Sequence, residues 1–82
     1  MHDPIQIRKK LGELVRRLRA ERGWSQEELA NATGFGRSMT SSIERGKQDF
    51  RVSTLVRLAN IFGLHVWQLF DDDRQTSKST KS

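Results

Sequence analysis

Apolar side chains recur along most of this chain at intervals of three and four residues, the period of one face of an α-helix. Leu11, Leu14, Val15 and Leu18 follow that spacing, and Ile7 extends the stripe one turn back. Arg8, Lys9, Lys10, Arg16, Arg17 and Arg22 fall mostly off the stripe, on the side left to water, and Gly23 offers a stop. The pattern predicts a first helix over about 5–22. Ser25 and Glu28 stand at the spacing of a capping box, so a second helix over about 25–32 follows, with Leu29, Ala30 and Ala32 inward and Gly34 left-handed at its end. Leu55, Leu58, Ala59 and Phe62 predict another helix over about 53–62, closed by Gly63. Val66, Leu69 and Phe70 predict a last short one over about 66–70. No segment alternates with period two, so no strand is expected.

Between these lies "FGRSMTSSIERG", residues 35–46, whose only large apolar positions are Phe35, Met39 and Ile43. Serine and threonine are mediocre helix formers because their hydroxyls compete for backbone hydrogen bonds. Its spacing from the second helix explains the stretch. Counting from Gln26, Ala30 is fifth, Gly34 ninth, Thr40 fifteenth and Ile43 eighteenth. A small fifth residue lets a following helix approach, a ninth glycine allows the turn a positive φ, and the fifteenth and eighteenth residues pack that helix down. This is the spacing of a helix-turn-helix, whose second helix enters the DNA major groove.

Charge sharpens this reading. The net charge of +5 belongs wholly to residues 1–70, because the tail from Asp71 to Ser82 holds three acids and three bases. A basic small domain suits a polyanion such as nucleic acid. With 82 residues the chain is expected to form one domain over 1–70, followed by a disordered polar tail over 71–82. No cysteine is present, which fits a reducing cytoplasm, and no signal peptide or membrane-length apolar run is visible. His2 and His65 have no carboxylate on a shared helix face, so neither a metal nor another cofactor is expected. No nucleophile, base and orienting group converge, which argues against an enzyme.

"GWSQEELANATGFGRSMTSSIERGK", followed by "STLVRLANIFGLHVWQLF", resembles the Cro/C1-type (XRE) helix-turn-helix family. It is similar to single-domain phage repressors and to the small controller proteins of restriction–modification systems. The resemblance covers about residues 8–70, with "SQEELA", the turn glycine, "IERG" and "LVRLANIFGL" in order and at family spacing. It implies an all-α, five-helix, lambda-repressor-like domain with 37–45 as recognition helix. It also implies a homodimeric, sequence-specific regulator acting on a pseudo-palindromic operator in double-stranded DNA. Such a protein is bacterial or phage-encoded, cytoplasmic and nucleoid-associated; the autoregulated controller proteins are one kind. No small-molecule effector is expected. A different class, an antitoxin-like or bridging module whose main partner is another protein, is distinguished by a stoichiometric partner chain.

On this resemblance Arg37 is placed to contact a base, where its fork suits guanine O6 and N7. Ser38, Ser41 and Ser42 lie on or near the outer face, where their hydroxyls are expected to contact base edges, and Met39 either touches a thymine methyl or packs inward. Ser25 and Gln26 stand at a helix N-terminus, a ready phosphate site, and the family puts Gln26 on the DNA backbone, bracing Arg37. Arg45, Lys47 and Arg51 are expected on phosphates. Arg19 and Glu44 are expected as a partly buried ion pair that aims the recognition helix. Trp67 falls where the family has an acidic or polar residue, which places Val66, Trp67, Leu69 and Phe70 near a dimer interface. Two residues depart from the family pattern. Thr40 replaces an aliphatic residue and should bond back to a carbonyl one turn earlier, and Gly36 replaces a Ser or Asp cap. Trp24 is expected in the linker after the first helix, and His65 as the cap of the last one.

Overall fold

Pro4 opens the first helix, where its missing N–H costs nothing and its fixed φ is already helical. In a computed structural model that describes residues 4–70, helix α1 spans Pro4–Glu21, α2 Gln26–Thr33, α3 Arg37–Glu44 and α4 Val52–Phe62. The fifth expected helix is instead a single 3₁₀ turn, Val66–Leu69. Among the described residues there is no strand, and no helix is long and apolar enough to cross a membrane. His2 and the tail expected to be disordered lie outside the described residues.

The four helices wrap one core of Leu11, Val15, Leu29, Ile43, Leu58, Ala59, Phe62 and Leu69. Each helix contributes through its apolar stripe, so burial rather than propensity holds helices as short as α2 and α3. Two expectations change here. Ala32 is exposed, and Thr33 takes the buried position, its hydroxyl donating to the Leu29 carbonyl at 2.9 Å and accepting from the Phe35 N–H at 3.2 Å. Leu69, expected at an interface, is 4% exposed and belongs to the chain's own core. A 3₁₀ turn eclipses residues three apart, so Val66 and Leu69 share the inner side while Trp67 and Phe70 share the outer.

Helix ends place α3. Ser25 caps α2 as expected: its hydroxyl accepts from the Glu28 N–H at 3.0 Å, and the Glu28 carboxylate accepts from the Ser25 N–H at 2.7 Å. Gly34 ends α2 in the left-handed conformation, φ 81°, its N–H donating to the Ala30 carbonyl. The left-handed Gly34 takes the chain out of α2 toward α3. At the other end, the Gly46 N–H bonds to the Ile43 carbonyl and the Lys47 N–H to the Ser42 carbonyl, the paired bonds of a Schellman stop. Helices α1 and α4 end in the same way.

Trp24 packs on Phe62 with ring centroids 6.0 Å apart, and the Arg22 guanidinium covers both rings. Arg22 also donates to the Phe62 carbonyl at 3.1 Å, tying the end of α1 to the end of α4. His65 stands at the cap position of the turn, as expected, and its ring stacks on Trp67 with planes 7° apart. The Gln68 side chain closes that end by accepting from the His65 N–H at 2.8 Å.

Candidate nucleic-acid interface

Helix α3 has an inner and an outer side with sharply different chemistry. Thr40, Ile43 and Glu44 are buried, and Phe35 and Met39 are half-buried against the core. Arg37 and Ser38 are exposed at the N-terminal end, while Ser41 and Ser42 are half-buried one turn later. Met39 thus packs inward, apart from the exposed Arg37 and Ser38. Gly36 caps the helix without a side chain, so the N-terminal N–H groups of α3 are left with no side-chain acceptor from the cap.

Thr40 is buried on the inner side of α3. Its hydroxyl donates to the Gly36 carbonyl at 3.1 Å, one turn back, and the same carbonyl accepts the Thr40 N–H at 2.9 Å. Since the carbonyl keeps its backbone partner, the hydroxyl is dispensable. Thr40→Val should therefore stabilise the fold by about 0.5–1 kcal/mol, seen as a rise of a few degrees in melting temperature.

A polar hub fixes the other end of α3. Glu44 is 4% exposed, and three side chains reach it through four hydrogen bonds. Arg19 donates Nε to Oε2 at 2.6 Å and Nη2 to Oε1 at 3.0 Å. Gln26 donates Nε2 to Oε1 at 3.1 Å, and Arg16 donates to the Glu44 backbone carbonyl at 3.2 Å. Arg19 also donates to the Trp24 carbonyl at 2.8 Å. The bond to Glu44 pushes the Arg19 guanidinium above its ordinary pKa; burial opposes this and the carboxylate charge adds to it. Helices α1, α2 and α3 are thereby tied at one carboxylate. Gln26, expected to brace Arg37, spends its amide on Glu44 instead.

Cations border the outer side. Arg45, Lys47 and Arg51 are exposed along the stop of α3 and the connection to α4. Arg57, which the sequence reading passed over, donates to the Thr33 carbonyl at 2.9 Å and so braces the end of α2 before the Gly34 turn. A cation suits a helix C-terminus, but its partner lies 24 residues away, so no local pattern announces it. Gly12 is the other residue missed. A Cβ there would strike the Ile43 carbonyl oxygen and stand 2.9 Å from that of Glu44, so α1 meets the end of α3 backbone against backbone.

Comparison with known proteins agrees with this geometry. A family model described as a helix-turn-helix domain matches residues 10–68. The uncharacterised HTH-type transcriptional regulator y4dJ of Sinorhizobium fredii is 35% identical over 77 residues, covering 94% of this chain and all of that one. The transcriptional repressor RstR of the cryptic phage CTXφ in Vibrio cholerae is 36% identical over 58 residues, 71% of this chain and 52% of the repressor. The chain therefore spans about half the length of that phage relative. Among solved structures, the hypothetical transcription factor NHTF from Neisseria superposes with a TM-score of 0.81 at 30% identity, covering 95% of this chain and 90% of the other. The restriction–modification controller protein C.AhdI from Aeromonas hydrophila gives 0.71 at 33% identity, covering 77% and 96%.

Proposed function

Because the chain belongs to the helix-turn-helix family of transcriptional regulators, we propose that it reads a specific duplex DNA sequence through α3 and does so as a homodimer. The observation that carries this reading is the outer side of α3. A polar, exposed N-terminal end, Arg37 and Ser38, is presented by a helix pinned at its inner side and at its far end. The 3₁₀ turn takes the place of the fifth helix of a lambda-repressor-like domain.

Arg37 enters the major groove and bonds a guanine through O6 and N7. Ser38 reaches a neighbouring base edge or phosphate, and Ser41 and Ser42 line the approach. Ser25 and Gln26 bring the N-terminus of α2 to the phosphate backbone, while Arg45, Lys47 and Arg51 neutralise phosphates beside α3. A dimer paired through the exposed side of the C-terminal turn sets two recognition helices against half-sites about 34 Å apart, one helical turn, on a pseudo-palindromic operator. The setting is the cytoplasm of a bacterium, and control runs through the protein's own concentration, as in an autoregulated controller.

Base-reading and phosphate-holding residues should separate cleanly. Arg37→Ala is expected to cost about 1–3 kcal/mol on the operator and to relax preference at one base position. Lys47→Ala should weaken all sequences alike and lower the slope of log K against log salt by about 0.9. Fluorescence anisotropy on operator and scrambled duplexes at several salt concentrations measures both. If Arg37→Ala keeps the base preference intact, α3 is not the reading element as assigned.

A further inference from the structure

A groove of about 280 Å³ opens where the start of α1, the α3–α4 connection, α4 and the C-terminal turn converge. Its walls include Ile7, Leu11, Phe50, Leu55 and Phe70, with Arg8 and Asp49 paired at 3.1 Å beside them. An apolar cavity of about 150 Å³ accepts benzene, so this volume accepts a two-ring side chain. The chain carries such a side chain on the surface: Trp67 is 63% exposed. It stands three residues before Phe70, on the same outer side of the 3₁₀ turn, and Phe70 is itself a groove wall and half exposed.

We propose that this groove seats the Trp67 side chain of a second copy, so that in the homodimer each chain's Trp67 enters the partner's groove. The inference rests on the homodimeric reading above and names what holds the dimer together. Three observations favour a second copy as the occupant. A two-fold interface uses one self-complementary patch on both chains, and here projection and groove lie side by side around Phe70. The chain carries +5, yet the two charges lining the groove cancel, which lets like-charged copies approach there and gives a DNA phosphate no foothold. The groove also holds an unmet donor, because Arg8 Nε is buried with no hydrogen-bond partner. A rotation of the Arg8 side chain on docking brings that donor to a carbonyl of the incoming turn, and the guanidinium lies beside the groove for the face of an indole. The His65 ring, stacked on Trp67 with centroids 6.1 Å apart, holds the indole in place before docking and lowers the entropic cost of the contact.

The test uses the full chain with Trp24→Phe, which leaves Trp67 as its one tryptophan. Sedimentation velocity across a dilution series is paired with tryptophan emission. The expected result is a monomer–dimer equilibrium in which emission moves to the blue as dimer forms. Trp67→Ala should raise the dimer dissociation constant at least about thirtyfold, the size of an interface hot spot, with the melting transition at low concentration unchanged. Ile7→Trp, which fills the groove from its own wall, should weaken the dimer as well. A dimer whose Trp67 emission stays that of a solvated indole, or one unweakened by Trp67→Ala, overturns the insertion and leaves the homodimer standing. A chain that remains monomeric even when saturating its operator overturns the homodimer and the insertion together.

Discussion

Arg19→Ala should cost about 3–5 kcal/mol of folding stability, the penalty for leaving a buried charge without its counter-ion. The charge left behind is Glu44, whose side chain is 2% exposed against 19% for Arg19. That asymmetry sets the order of effects. Glu44→Ala should cost less, because an orphaned Arg19 can swing its guanidinium to water, whereas an orphaned Glu44 keeps only the Gln26 amide. The double variant should be more stable than Arg19→Ala alone, since it buries no unpaired charge. A chain of 82 residues has a total stability of about 4–12 kcal/mol, so Arg19→Ala consumes much of it. Thermal unfolding of the four proteins checks this, with an expected drop of more than about 12 °C for Arg19→Ala. Where that variant remains folded, its base preference should be unchanged, because Arg19 and Glu44 spend their bonds on each other within the fold. If Arg19→Ala melts with the wild type, the hub does not hold the three helices.

Gly12→Ala should destabilise the fold by about 1–3 kcal/mol, the range for forcing a methyl into a packed site. Helix propensity alone gives the opposite sign: alanine in a helix interior is favoured over glycine by about 0.5–1 kcal/mol. Space decides the outcome. The new Cβ would meet the Ile43 carbonyl oxygen, with the Glu44 carbonyl oxygen 2.9 Å away, and both are backbone atoms with nowhere to turn. Relief requires α1 and α3 to separate, which loosens Ile43 in the core and Glu44 in the hub at once. Operator affinity should therefore fall with stability. A rise in melting temperature for Gly12→Ala would show that the contact between α1 and α3 is looser than described.

These two residues mark what was legible in the sequence and what was not. The Ser25–Glu28 box, the Gly34 turn, and the stripes of α1 and α4 are local patterns, and the structure contains all of them. The ion pair of Arg19 and Glu44 came from family resemblance, and the two side chains meet. Gly12 gave no signal because its importance depends on which backbone lies opposite, 31 residues or more along the chain. Ala32 and Thr33 were exchanged because an eight-residue helix barely defines the phase of its own stripe. Leu69 was grouped with Trp67 near an interface on family resemblance, whereas the turn puts it on the buried side, away from Trp67. The polar outer side of α3 was legible for a different reason. A helix with weak formers on one side and Thr40 and Ile43 on the other is held by its neighbours, which leaves its outer side free to be polar.

On the proposed function, α3 reads a specific duplex sequence on two symmetric half-sites. Selection of bound fragments from a random duplex library, with the purified chain, tests it most directly. The predicted result is an enriched inverted repeat with centres about 34 Å apart, containing a guanine whose preference is lost with Arg37→Ala. Recovery of fragments with no shared motif, at yields that depend only on salt, would contradict it.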